Sequence, residues 1–525
     1  MKLFRSAFII SFYTIFARIT GFIRDILIAK IAGAGTITDT FFAAFKITNF
    51  FRKILAEGTL FAAFVPKFSK IMNESGKIAA QNYTNNLLTF FLYILIIITI
   101  IAEIFMPQIT QVMSPGFSSN VEKFQITVNL SRILFIYFIF IVLTSVISGT
   151  LNSLKKFSYY AIVPIFLNLS IIVFIIFIGG KFHSFAHCLA YGVLFGGVLQ
   201  IIFAYFACIY EDFPVNLTFK NPLKLWNSDI KETFKKMLPA MIAGGMTQIN
   251  TMADLILGSY IESGVSYLYY ADRIFYLPAS MIGTAIGIVI LPMLSEAVSS
   301  GKNAEANSLE RDALTISSFF AIPASLVMMA IADILISIVF ERGNFSHTDA
   351  QIVGNMIRIL GVGLTFSVYN KTLSSIFFAN GNTKTPMQIT LYSVVLNIII
   401  SICLIKPLGV YGLITGCVSS YIFCVFANII SLKREKLLTT ITPDFTKNFI
   451  KICIASIIAV CAIYYLCNIN HSTSFYANFY NPSAFFTEIL YAIVVLSVFG
   501  LVYLASLVLM GLNPIKLFLI HERKN

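Results

Sequence analysis

Charged side chains inside apolar helical segments are the residues of this chain that could do chemistry, and they crowd into one stretch. Arg18 to Glu57 reads RITGFIRDILIAKIAGAGTITDTFFAAFKITNFFRKILAE, two apolar helical segments either side of a glycine-rich turn. Nine charged residues sit on it, six positive and three negative: Arg18, Arg24, Asp25, Lys30, Asp39, Lys46, Arg52, Lys53 and Glu57. At a bilayer centre each costs about 2.5–3.5 kcal/mol, so nine facing lipid would cost roughly 25 kcal/mol. They must face one another or a watery cavity. Asp39, Lys46 and Lys53 step by seven with Glu57 four further on, so one helix face carries all four. Arg18 and Asp25 are also seven apart, with Gly21 between them as a candidate bend. Internal ion pairs that lock helices together are the plainer reading, but three acids neutralise only three of six bases. The excess of guanidinium and ammonium groups in a low-dielectric cavity makes a site for an anion.

The elements that must position these charges are membrane spans. Hydrophobic residues make up 58%, charged residues 12%, and mean hydropathy is +0.85, the composition of an all-α polytopic membrane protein. Runs of about 20 apolar residues number fourteen, near 6–31, 36–65, 84–106, 128–151, 158–179, 184–210, 236–261, 264–298, 313–340, 348–378, 385–405, 409–431, 446–467 and 485–510. The first run has no small-residue cleavage site and contains Arg18, so it reads as an uncleaved span. With the N-terminus inside, inner loops and tails hold 20 Lys and Arg; the outer loops hold only Lys123, Lys181, Arg342 and Lys406. That bias places both termini in the cytoplasm. It also accounts for most of the net charge of +13, so no nucleic-acid partner is needed.

The longest inner loop, Glu211 to about Lys235, is polar, contains Pro214 and Pro222, and reads as a connector between two halves. The halves resemble each other at a spacing of about 220–230 residues. Asp25-Ile-Leu-Ile with Gly35 corresponds to Asp254-Leu-Ile-Leu with Gly264, and Val65-Pro66 to Leu291-Pro292. Asn152 and Asn168 recur as Asn380 and Asn397, and YGVLFGGV from Tyr191 as YGLITGCV from Tyr411. Four matches in order are a duplication. The expected organisation is a six-helix lobe over 1–215, a second over 236–432, and two added helices over 446–512. Six spans per copy give a pseudo-two-fold along the membrane normal, an architecture suited to alternating access around a central cleft. The second copy carries Asp272-Arg273 about nine residues into its span, and Arg358 and Lys371 further on. Arg273 is expected about 13 Å below the outer surface, near the depth of Arg24. A local pair with Asp272 is the plainer role, but adjacent helical residues point about 100° apart. Arg132, near the outer end of its span, is expected to snorkel.

Several chemistries are excluded. There is no G-x-x-x-x-G-K-[ST], H-E-x-x-H, G-x-S-x-G or acidic metal cluster. The eight cysteines form no C-x-x-C pair, and His183 and His187 have no acid beside them, so no metal or other cofactor is expected. A polytopic glycosyltransferase would need poised acids and a large soluble loop. An exporter of cationic drugs would need a net acidic cavity. A structural scaffold gives no reason for the buried charge.

GFIRDILIAKIAGAG, TDTFFAAFK, NFFRKILAEGTLFAAFVP, SPGF, YYADRI, FERGNF and NGNTKTP together resemble the MurJ/MviN lipid II flippases of the MOP exporter superfamily, over about residues 1–515. The resemblance implies a bacterial inner-membrane flippase, not an enzyme. Its substrate would be the undecaprenyl-diphosphate-linked peptidoglycan precursor. Its partners would be membrane lipids and the cell-wall synthesis machinery, and it would act as a monomer. It implies diphosphate binding by Arg18, Arg24, Arg52 and Arg273, with Asp39 and Glu57 matching acids of the family's pattern; Asp25, Lys46 and Lys53 join these two acids as the expected supporting cavity charges. The alternative is a related lipid-linked oligosaccharide flippase or ion-coupled exporter. Thr48 stands where the family usually has proline, which puts the bend of the second span in question. The last two helices are the expected groove for the polyprenyl tail.

Overall fold

The structure, a computed structural model, describes residues 2–56, 59–182, 184–219, 221–435, 437, 442–471 and 484–514. Its regular elements are helices. They are α1 (Lys2–Ala32), α2 (Thr36–Leu55), α3 (Thr59–Met113), α4 (Val121–Ser153), α5 (Ser158–Val173), α6 (Phe185–Tyr210), α7 (Pro222–Leu225) and α8 (Ser228–Gly258). They continue as α9 (Gly264–Ser299), α10 (Asn303–Ala330), α11 (Ala332–Phe340), α12 (His347–Ala379), α13 (Lys384–Leu408), α14 (Val410–Arg434), α15 (Pro443–His471) and α16 (Ala484–Leu509). Among the described residues eleven helical stretches are long and apolar enough to cross a membrane. One of them, Thr36–Met113, contains both the second and the third of the predicted spans. The protein is all-α and polytopic.

The chain forms two compact units. The first comprises Met1–Ser266 with Arg342–Phe345, the second Tyr267–Glu341 with Ser346–Asn525. In the first, α4 packs on α2, α3 and α6, α5 on α1 and α6, and α8 on α2 and α3. In the second, α12 packs on α10 and α14, and α13 on α14. Both units use the same local devices. α3 kinks at Gly76 (φ 82°), and α9 gives way to α10 at Gly301 (φ 67°), each shortly after the recurring Pro66 or Pro292. α4 ends with the Lys156 N–H donating to the Leu151 carbonyl, and α12 with Asn382 donating to Phe377. The recurring glycines sit where α6 meets α5 and where α14 meets α13. A Cβ at Gly196 would lie 3.1 Å from the Cα of Leu167, and one at Gly416 2.9 Å from the carbonyl oxygen of Asn397. Small residues four apart let the backbones of each pair approach.

α15 and α16 join the second unit through one apolar cluster. Ile452, Ala455 and Ala459 of α15 and Val495, Phe499 and Tyr503 of α16 pack with Phe319 and Ile322 of α10. The Tyr503 hydroxyl donates to the Phe319 carbonyl (2.8 Å). Their other faces expose Ile450, Ile454, Ile457, Leu496 and Leu501, as lipid-facing helices do.

The segment after α6 is not the plain connector expected of it. It runs against α3, where Gln81 donates to the Pro214 carbonyl, the Asn216 N–H to Asn85 Oδ1 (2.7 Å) and the Thr218 N–H to Thr89 Oγ1 (2.8 Å). Polar side chains of α3 thus satisfy backbone groups of the segment. Asn85 and Thr89 find these partners more than a hundred residues away in the chain.

Candidate functional site

Arg24 is the best-held cation of the first stretch. It lies on α1, is 5% exposed, and donates through Nε (2.9 Å) and Nη2 (2.7 Å) to Asp25 Oδ1. Its Nη1 donates to Asn168 Oδ1 (2.9 Å) on α5. Asn168 is itself fixed, since its Nδ2 donates to the Ala17 carbonyl (3.0 Å) and faces Thr20 Oγ1 (3.3 Å). α1 runs unbroken through Gly21, so the glycine is no helix break. Its lack of a side chain instead admits Asn168, whose Nδ2 would lie 3.3 Å from a Cβ there. Although adjacent on the helix, Arg24 and Asp25 meet, because the arginine stem is long enough to fold back onto the carboxylate. Asn168 was visible in the sequence only as a repeated asparagine. A carboxamide inside an apolar span was the available signal, since such a group needs a partner.

Asp39 belongs to a separate buried cluster near the α1–α2 turn. It is fully buried; Lys123 Nζ lies 2.6 Å from Oδ2, and the Ser266 N–H (2.8 Å) and hydroxyl (2.6 Å) donate to Oδ1. Lys123, expected in an outer loop, lies in the first turn of α4, with its ammonium 4.3 Å from the Phe117 ring centroid. The SPGF motif forms the turn before α4, and the Gly116 N–H donates to Ser259 Oγ (2.9 Å). Beside this cluster two left-handed glycines interlock. A Cβ at Gly33 (φ 63°) would lie 2.3 Å from the Asn344 carbonyl oxygen, and one at Gly343 (φ 59°) 2.2 Å from that of Lys30. The FERGNF and GAG motifs are thus two faces of one contact, closed by the Asn344 N–H donating to the Lys30 carbonyl (2.9 Å).

The other charges of the stretch differ in setting. α2 is continuous through Thr48, so Asp39, Lys46 and Lys53 do share a face; the last two are half-buried. Arg52 is half-buried and donates through Nε to Asn49 Oδ1 (2.8 Å). Arg18 is exposed on α1 and makes no hydrogen bond or ion pair with the described residues. Glu57 lies outside the described residues, as does His183. Because Asp39 is neutralised by Lys123, only Asp25 and Glu57 remain as acids for the six bases of the stretch. The cationic excess is larger than the sequence alone implied.

In the second unit Arg273 is half-buried on α9. Its Nη2 donates to the Tyr269 hydroxyl (2.6 Å), and its guanidinium carbon lies 4.7 Å from that ring's centroid. Arg358 is ion-paired with Asp333 and donates to Asn355 Oδ1, which gives it a structural setting. Lys371 Nζ reaches the Ala279 carbonyl at 3.4 Å, with no carboxylate beside it among the described residues. Arg132 is 3.7 Å from Glu103 and partly exposed. Among the described residues no group of His, Cys, Asp and Glu could hold a metal ion.

A helical membrane fold with arginines held inside it defines a class before a family. In fold the protein resembles transporters of the MOP superfamily. It superposes on a multidrug resistance MATE family transporter of that superfamily in its inward-facing conformation with a TM-score of 0.66. The superposition covers 80% of this chain and 94% of that one at 16% identity, a likeness of fold alone. The family is narrower. Residues 28–485 match the family model described as lipid II flippase MurJ. A probable lipid II flippase MurJ of Rickettsia prowazekii (strain Madrid E) is 35% identical over 419 residues, 79% of this chain and 81% of that protein. One from Rhizobium tropici is 35% identical over 404 residues, 76% of this chain and 75% of that protein. A solved lipid II flippase MurJ in an inward closed conformation gives a TM-score of 0.76 at 26% identity, covering 95% of this chain and 99% of that one. The chain belongs to the lipid II flippase MurJ family.

Proposed function

We propose that this protein is a lipid II flippase of the bacterial inner membrane, moving the lipid-linked peptidoglycan precursor from the cytoplasmic to the periplasmic leaflet by alternating access. Arg18, Arg24, Arg52 and Arg273 bind the diphosphate; Lys46 and Lys53 add to the positive charge of the cavity, and Asp25 and Glu57 partly offset it. Asp39 supports them from a distance by holding α2 to α4. The organisation is two six-helix lobes over 1–215 and 236–432 and a tail-binding pair over 446–512, fourteen spans with both termini cytoplasmic. The observation that carries the reading is Arg24, a guanidinium nearly removed from solvent and oriented by Asp25 and Asn168. A diphosphate needs cations in a dry place, and a fixed guanidinium meets two phosphate oxygens with parallel N–H donors. The exposed apolar faces of α15 and α16 suit a polyprenyl chain, which gains nothing from a polar cavity.

The test is depletion in the native cell followed by identification of the lipid-linked intermediate that accumulates. Disaccharide-pentapeptide diphosphate lipid on the cytoplasmic leaflet is the expected result. Accumulation of a different lipid-linked saccharide would replace the substrate. Normal growth of membrane-inserted Arg24→Ala and Arg273→Ala variants would remove the site.

A further inference from the structure

The segment joining α6 to α8 carries features that transport does not explain. Bound to α3 at positions 81, 85 and 89, it rises about 12 Å along one face of that helix at 1.5 Å per residue. It exposes Leu217 (43%) and Phe219 (78%), and Tyr210 at the end of α6 is exposed as well (80%). Trp226, the single tryptophan of the chain, stacks on Phe90 of α3 (5.2 Å between centroids) and packs on Phe234 of α8 (5.6 Å), with 43% of its surface open. Phe90 lies six residues into the apolar run 84–106, which puts the indole about 9 Å inside the start of that run. Tryptophan and tyrosine prefer the boundary between headgroups and acyl chains, where an apolar ring and a polar tip are both satisfied.

The charges around it lean to the positive. Glu211 is bound by Lys156, and Asp229 and Glu232 by Lys67 and Lys236, so these three acids are neutralised within the protein, which leaves Asp212 as the exposed acid of the segment. Lys224, Lys231 and Lys235 are exposed and have no carboxylate partner among the described residues. We infer that this segment is an interfacial anchor whose lysines bind anionic phospholipid headgroups while Phe219 and Trp226 sit at the level of the upper acyl chains. Each lysine near a charged surface favours an anionic leaflet about five-fold. A soluble protein or peptide docking here is disfavoured because the aromatics lie at membrane depth, beside an apolar span.

The single tryptophan makes the test direct. The full-length protein is reconstituted in phosphatidylcholine–phosphatidylglycerol vesicles in which either lipid, at equal mole fraction, carries bromines high on its acyl chains. Brominated phosphatidylglycerol is expected to quench Trp226 at least about twice as strongly as brominated phosphatidylcholine. The triple variant Lys224→Gln, Lys231→Gln, Lys235→Gln should make the two lipids quench equally while the indole remains in the membrane. Equal quenching in the unsubstituted protein overturns the anionic preference. No quenching by either lipid, with strong quenching by aqueous acrylamide, overturns the membrane placement. Neither readout depends on transport, so failure here leaves the proposed function standing.

Discussion

At Arg24 three groups meet. Asp25 supplies charge, Asn168 supplies orientation, and Gly21 supplies the space for Asn168. If orientation matters as well as charge, Arg24→Lys should fail in complementation nearly as badly as Arg24→Ala, because an ammonium cannot make the forked contact. Asn168→Ala removes one charge-assisted hydrogen bond, about 1.5–3 kcal/mol, while leaving every charge in place. It should therefore weaken lipid-linked diphosphate binding by roughly ten-fold or more, read by titrating the purified protein with that lipid. Unchanged affinity in a well-folded Asn168→Ala protein would show that Asp25 alone positions the arginine. Asp39→Asn differs in kind. It leaves Lys123 buried without its counter-charge and should lower the melting temperature in detergent, since breaking a buried pair costs about 3–5 kcal/mol.

At the scale of elements, the two units can be played against each other. The turn after α4 places Lys155 at φ 63°, while the matching turn after α12 places Gly381 at φ 74°. A left-handed conformation costs an L-residue roughly 1–2 kcal/mol, partly offset by glycine's larger chain entropy when unfolded. Lys155→Gly should therefore stabilise by about 0.5–1 kcal/mol and Gly381→Lys destabilise by a similar amount, measured by thermal unfolding in one detergent. Opposite signs at equivalent turns are the expected pattern; two losses would mean that Lys155 has a contact worth more than its strain.

The segment after α6 and the start of α8 are held by ion pairs, which adds a pH dependence. Burial pushes the Glu211 carboxyl up, but hydrogen bonds from Lys156 and Tyr159 outweigh it and bring it below its ordinary 4.5. Hydrogen bonds from Lys236 and Lys67 lower Glu232 further, to about 2. Both carboxyls titrate lower folded than unfolded, so their stabilisation is complete above about pH 4.5 and is lost as pH falls through the lowered values. Trp226 emission should stay constant through the neutral range and change only in acid. Glu232→Gln should remove part of that acid transition, and a change near neutrality would show that another group governs these ion pairs.

For the whole molecule, the proposed topology is open to a direct check. In a cysteine-free background, cysteines at positions 155 and 433 should react only with reagents that cross the membrane, and those at 181 and 406 with impermeant ones. Labelling of position 181 only from the inside would require a different number of spans before it.

What the chain determines by itself is what depends on local composition and period. Apolar runs long enough to span, a lysine and arginine bias between loops, glycine-rich turns and a 220–230-residue repeat are all readable without knowing which residues meet. The excess of positive charge in Arg18–Glu57 is readable for the same reason, because charge inside an apolar helix is costly wherever the helix packs. Pairing is different. Asp39 looked like one of four charges on a cavity face until Lys123, 84 residues away, and Ser266, 227 away, closed around it. Arg24 found its orienting group 144 residues away. The strap on α3 was invisible because what it offers is backbone N–H and carbonyl groups, which no sequence distinguishes. Only tertiary structure decides these, since a hydrogen bond depends on an approach of about 3 Å that separation along the chain does not encode.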